Sequence, residues 1–252
     1  MVWDFQMIKA SLARLARYSR MICRWGIHRV LNSSTVTISG VKLALDHPSL
    51  SPKMKFNLRL GHYEAHEQVL LRKCLRQTDR VLEIGAGIGF LSNLAARIVP
   101  SQNITAVEAN PDLIDLIKRN QKLNGVEFLV VNGVLGKGSD RRDFYVTPNF
   151  WASGLAPIQG AHKISVPQLD FQEFLLQTAP NVLVIDIEGG EGELLEGVTL
   201  PGVRTVIIEL HPAVLKPKEI SRVFNALAAQ GLYPDLSQSS GMVYVFVAAD
   251  DS

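Results

Sequence analysis

Two hydrophobic periods share this chain. Short apolar runs bounded by turn residues read as buried strands: Arg80–Ile84, Ile104–Glu108, Val126–Val131, Asn181–Ile187 and Thr205–Leu210. Between them, apolar residues recur at three- and four-residue spacing, which predicts helices over Phe90–Val99, from Asn110-Pro111 to Leu123, over Leu169–Leu176, from Glu191 to Leu195 and over Pro217–Gln230. Strands that alternate with helices predict a mostly parallel sheet with right-handed crossovers. Leu232–Leu236 and Met242–Ala248 are placed as an antiparallel pair that closes the sheet. Upstream, Thr35–Leu45 predicts two short β segments about Gly40, and Phe56–Leu75 a helix. Residues 134–165 mix Gly, Ser, Asp and Pro with Phe144, Tyr145, Phe150 and Trp151, and are expected to form β segments and loops near a ligand mouth.

The chain divides into an arm, residues 1–34, and a single large α/β domain, residues 35–252. Residues 5–30 predict an amphipathic helix with Ile8, Leu12, Leu15 and Ile22 on one side and basic residues on the other. Residues 1–30 hold 6 basic residues and 1 acidic, a balance of +5, and the remainder holds 20 basic and 23 acidic, −3. That remainder argues against a nucleic-acid surface. The basic helix is read as a solvated face packed on the domain, with peripheral membrane contact as the other use of such a helix. Cys23 and Cys74 have no metal-ligand spacing and are too few for a disulfide framework, so a reducing, cytoplasmic setting is expected. No apolar run approaches a membrane span, and no secretory signal is evident.

Arg80 to Phe90 carries the first chemistry. Gly85, Gly87 and Gly89 follow a strand and open a helix, where an α/β sheet holds a nucleotide-like ligand. Glu83 sits two residues before the first glycine, where it would repel a pyrophosphate and welcome a cationic amino group. Glu108 ends the second strand, 23 residues after Gly85, and can accept both hydroxyls of a ribose. This combination resembles the cofactor site of Rossmann-like class I methyltransferases that use S-adenosylmethionine (SAM). Asn132 and Gly133, at the third strand's end, and Asp186, at the fourth's, extend the expected cofactor site.

Asp186-Ile-Glu188-Gly-Gly-Glu191, with Leu195 and Gly197, resembles the FkbM-type methyltransferase family, as do Gly61-His-Tyr63-Glu64 and Glu209-Leu-His211. The resemblance spans roughly residues 60–235; the lysine often found in that family two residues before the Asp is Val184 here. It implies O-methylation of a hydroxyl on a small molecule, often a sugar or a polyketide-like natural product; together with the charge balance, a small-molecule acceptor and no nucleic acid are expected.

Asp186, Glu188 and His211 are the candidate bases for such an acceptor, with Glu188 and His211 assigned to proton removal and Asp186 mainly to the cofactor. Tyr63, Glu64 and Glu209 are assigned to the acceptor. Asp186, Glu188, Glu209 and His211 would suit a divalent ion, but acids at strand ends more often bind substrate or cap helices, so no metal is expected. Two alternatives stand beside this reading: an NAD-dependent oxidoreductase, and a SAM-binding protein without catalysis.

Overall fold

The computed structural model describes residues 33–249. The basic helix expected over residues 5–30, and with it all of the arm but residues 33 and 34, lies outside the described residues. A hairpin of β1 (Thr35–Ile38) and β2 (Val41–Ala44) leads to helices α1 (Pro52–Leu60) and α2 (Glu67–Cys74). The single helix expected over Phe56–Leu75 is therefore two. Gly61 takes the left-handed conformation, φ 74°, and its N–H caps the carbonyls of Asn57 and Leu58, which stops α1 there.

The central unit then runs β3 (Val81–Ile84), α3 (Phe90–Ala95), β4 (Ile104–Glu108), α4 (Pro111–Asn124) and β5 (Leu129–Asn132). Three strands, β6 (Val134–Gly136), β7 (Asp140–Val146) and β8 (His162–Asp170), make a separate small sheet in the order β6-β8-β7. The chain continues through α5 (Phe171–Thr178), β9 (Val182–Ile185), α6 (Glu191–Leu194), β10 (Thr205–Glu209), α7 (Pro217–Ala228), β11 (Leu232–Pro234) and β12 (Val243–Ala248).

The main sheet has seven strands in the order β11-β12-β10-β9-β3-β4-β5. The five strands from β10 to β5 pair in parallel, and β12 enters antiparallel between β10 and β11. This is the expected α/β, Rossmann-like class I methyltransferase fold, antiparallel C-terminal strand included.

Alternation along the strands decides which helices they hold. Val81, Val182, Val184 and Ile207 join the core that contains the hairpin and α1 to α4, while Leu82, Ile84, Leu183, Ile185 and Ile208 join the core under α5 to α7. All residues of β3 and β9 are buried, as expected of central strands covered on both faces. The strand order also fixes the site. β3 lies between β4 and β9, with β10 next, so the ends of β4, β3, β9 and β10 open on one edge. The sheet order reverses direction at β3, and ligands of open α/β sheets bind at such a point.

Candidate active site

A cavity of about 550 Å³ lies at that edge. Its wall includes Gly85 and Gly87 after β3, Glu108 at the end of β4, Gly133 after β5, Asp186 and Glu188 after β9, and Glu209 at the end of β10. Tyr63 and Glu64, from the turn between α1 and α2, close one side, and Phe144, Phe150 and Trp151 close another. Eight of the sequence-assigned residues, together with Tyr63, therefore meet in one place although they lie far apart in the chain.

Glycine is required where the backbones crowd. A Cβ on Gly85 would stand 1.7 Å from the carbonyl oxygen of Asp186, so the ends of β3 and β9 touch with no room for a side chain. Gly87 has φ 53°, and a Cβ there would reach 2.9 Å from the Tyr63 hydroxyl. Its N–H donates to Glu108 Oε2 (2.7 Å), and the N–H of Asn110 donates to Oε1 (2.7 Å). Glu108 is 6% exposed. Burial raises its pKa to about 7 against the lowering effect of those N–H donors. Each carboxylate oxygen keeps a further acceptor position for a ribose hydroxyl. The glycine cradle, the oriented carboxylate and the room in the cavity fit SAM. When bound, SAM supplies an electrophilic methyl group on a sulfonium.

Three assigned residues are placed elsewhere. Glu83 is 3% exposed and accepts a hydrogen bond from the Ser92 hydroxyl at the start of α3. It is turned into the core rather than to the cavity wall, and burial pushes its pKa to about 8. Alternation explains this, because Glu83 and Gly85 share a side of the strand only while it stays extended, and the glycine turn breaks that register. Gly89 caps α3 in the left-handed conformation against Ile117 and does not line the cavity. The Asn132 amide donates to the carbonyls of Glu108 and Ala109 (2.9 and 3.1 Å), so it braces the end of β4.

At the other end of the cavity, His211, which does not itself line the wall, gathers the acids from behind Asp186 and Glu188. Its Nδ1 donates to Glu191 Oε1 (2.7 Å), and its Nε2 lies 3.5 Å from Asp186 Oδ1 and 3.4 Å from Glu188 Oε2. Glu191, 0% exposed, was read from sequence as a helix start and as part of the acidic run, with no role in the site. The acidic run that carries it was the available signal, but nothing in the run points to His211, 20 residues on. Glu188 has φ 53° and is followed by Gly189 at φ 101°, a tight turn that aims the carboxylate back toward the strand end.

The charges here are strongly shifted. Burial opposes a charged His211, but the Glu191 hydrogen bond and the charges of Glu188 and Asp186 prevail and lift its pKa to about 9. At neutral pH the ring is thus already protonated, which weakens the expectation that it accepts a proton there. Burial raises Glu188 to about 7, with His211 opposing, which leaves a carboxylate able to exchange a proton near neutrality. Asp186 is raised too, by burial and then by the charge of Glu209.

Comparison with known proteins adds a chemistry to this geometry. Residues 53–149 match the family model of the TRM5/TYW2 methyltransferase domain. The hexuronic acid methyltransferase AglP of Haloferax volcanii is 26% identical over 167 residues, which are 63% of this chain and 68% of AglP. Among solved structures, Trm5b from Pyrococcus abyssi aligns with a TM-score of 0.45 and 14% identity over 85% of this chain, which spans 55% of that protein. TYW2 of M. jannaschii in complex with AdoMet aligns with a TM-score of 0.42 and 12% identity, over 84% of this chain and 82% of that one.

Two sequence expectations are corrected by the family match. The family whose model matches is TRM5/TYW2, not the FkbM-type family; of the short motifs that carried that resemblance, only Gly61-His-Tyr63-Glu64 lies within residues 53–149. The same match points to a nucleic-acid partner, so the expectation of no nucleic acid does not stand. The charge sum of the chain after residue 30 was a poor guide, because a local patch and not the sum decides whether a surface suits a nucleic acid. Neither the oxidoreductase nor the non-catalytic alternative is supported. The chain is a SAM-dependent methyltransferase, and SAM is its cofactor.

Proposed function

We propose that this methyltransferase acts on RNA, with a tRNA nucleoside as the acceptor. The observation that carries the reading is the match of residues 53–149 to the TRM5/TYW2 domain, which takes in most of the cofactor half of the cavity. The geometry is compatible with it. Of the aromatic residues at the wall, Phe144 and Phe150 are buried and Trp151 is half-buried with the Lys53 ammonium over its ring, so Trp151 is the ring an unstacked base can meet. Helix α1 borders the cavity through Met54 and Asn57 and carries Lys53, Lys55 and Arg59 with no acidic residue. Phosphates would lie along α1, away from the acids of Asp186, Glu188 and Glu209.

Within that reading, Glu108 holds the cofactor ribose, the glycine turn admits the rest of SAM, and Glu188 receives the proton released by the acceptor. His211 holds Glu188 and Asp186 in place, itself oriented by Glu191. A second reading has its own support: the cluster of Asp186, Glu188 and His211 suits deprotonation of a sugar hydroxyl, and the AglP alignment spans 63% of the chain.

One experiment separates the two. The protein is incubated with methyl-labelled SAM and either bulk tRNA or a uronic-acid glycan fraction. Label that enters tRNA and is released by ribonuclease as a methylated nucleoside is the expected result. Replacing Lys53 and Lys55 with Glu should then weaken tRNA binding and make it less salt-dependent, by about one unit of slope per lost phosphate contact. Label in the glycan with none in RNA would overturn the RNA reading and support the second.

A further inference from the structure

We propose that Asp186, Glu188 and His211 form a site for one divalent cation at the acceptor end of the cavity. The inference rests on the placement of the acceptor end given above and does not depend on whether the acceptor is RNA or a sugar. One donor atom from each residue lies within 4.8 Å of the other two. His211 Nε2 stands 3.5 Å from Asp186 Oδ1 and 3.4 Å from Glu188 Oε2, longer than an ordinary N–H···O bond. Those separations fit a shared ion. Donors about 2.1 Å from one metal stand about 3.0 Å apart at a right angle and about 3.4 Å apart in a tetrahedron.

Two further observations point to a ligand. Asp186 Oδ1 is a buried atom with no hydrogen-bond partner, an arrangement that costs free energy unless something fills it. Glu191, fully buried, engages Nδ1 of His211 and so turns Nε2 toward the two carboxylates. A carboxylate behind a histidine, fixing which nitrogen faces the site, is how proteins orient a metal-ligating imidazole. A neutral ring held this way presents a lone pair to two acids, which only a proton or a cation makes favourable.

The donor set selects the ion. Carboxylates suit Mg²⁺, Ca²⁺ and Mn²⁺, and an imidazole favours the transition metals, so one imidazole with two carboxylates points to Mn²⁺. Asp186 and Glu188 both line the cavity, which leaves coordination positions open to an acceptor oxygen. A cation there would hold that oxygen and lower the pKa of a hydroxyl bound to it. Glu188 has a second oxygen free to receive the proton.

The test uses Mn²⁺ alone. Metal-stripped protein is titrated with Mn²⁺ without SAM, and free Mn²⁺ is followed by electron paramagnetic resonance and heat by calorimetry. One saturable equivalent is expected. Glu188→Gln, at the cavity surface, should weaken it at least tenfold, as should His211→Gln. Glu191→Gln, which touches no ion, should weaken it about 10–100-fold through the lost orientation of the ring. Circular dichroism melts confirm that each variant is folded. No saturable Mn²⁺ binding by the unaltered protein, or an affinity unmoved in folded Glu188→Gln and His211→Gln, overturns the proposal and leaves a proton on Nε2 as what joins the cluster. SAM titrated into the same metal-free protein keeps the two ideas apart: SAM binding without Mn²⁺ binding sinks only the cation site.

Discussion

Glu108→Ala should lower SAM affinity at least tenfold. A ribose offers two hydroxyls to this carboxylate, and hydrogen bonds to a charged group contribute about 1.5–3 kcal/mol each. About 1.4 kcal/mol is already a factor of ten in a dissociation constant. The carboxylate is oriented before the cofactor arrives, because one oxygen accepts from Gly87 N–H and the other from Asn110 N–H, each at 2.7 Å. Alanine removes both acceptors, so it also strands two N–H groups in a buried place and should lower the melting temperature. Glu108→Gln separates the two effects. It keeps one acceptor oxygen for the backbone and loses the charge, so it should melt closer to the unaltered protein and still bind SAM more weakly. Calorimetry at pH 8, above the raised pKa of about 7, is the measurement. An unchanged affinity in Glu108→Ala would remove Glu108 from the cofactor site.

Glu188→Gln should lower kcat by about 10²–10⁴, the usual worth of a positioned acid or base. SAM affinity should change less than threefold, because Glu188 lies at the acceptor end and not beside Glu108. The pH profile is the more specific readout. Only the deprotonated carboxylate can receive a proton, and its pKa is raised to about 7 by burial, with His211 opposing. In metal-free protein the rate should therefore rise with pH through about 7 and level off above it. In the Gln variant that limb should flatten. A rate that falls over the same range, or a variant that keeps both kcat and the limb, would move the proton acceptor elsewhere.

What could be read from the sequence follows from how local its cause is. The strands β3, β4, β9 and β10 and the antiparallel β12 were legible because their apolar runs are unbroken and end at turns. The glycines and Glu108 were legible because a strand, a tight turn and a helix lie within a few residues. The break at Gly61 was missed because apolar spacing continues across it, and only the left-handed φ ends the helix. Glu83 looked like a cofactor residue from its distance to Gly85, yet Ser92 at the start of α3 holds it in the core. Glu191 was missed for the opposite reason: its partner, His211, arrives from the next strand, and no periodicity announces such a pair. The family was misread from three short motifs, at residues 61–64, 186–197 and 209–211. A continuous match over residues 53–149 outweighs such scattered positions.

The central claim is that one cavity holds SAM by Glu108 and the glycine turn and presents its methyl group to Asp186, Glu188 and His211. A crystal structure of the protein with S-adenosylhomocysteine tests it most directly. The account predicts ribose hydroxyls within hydrogen-bond distance of Glu108, the amino-acid portion against Gly85 and Asp186, and the sulfur facing the open space before Glu188. A ligand bound away from Glu108, or one whose sulfur is walled off from the acid–histidine cluster, would contradict it.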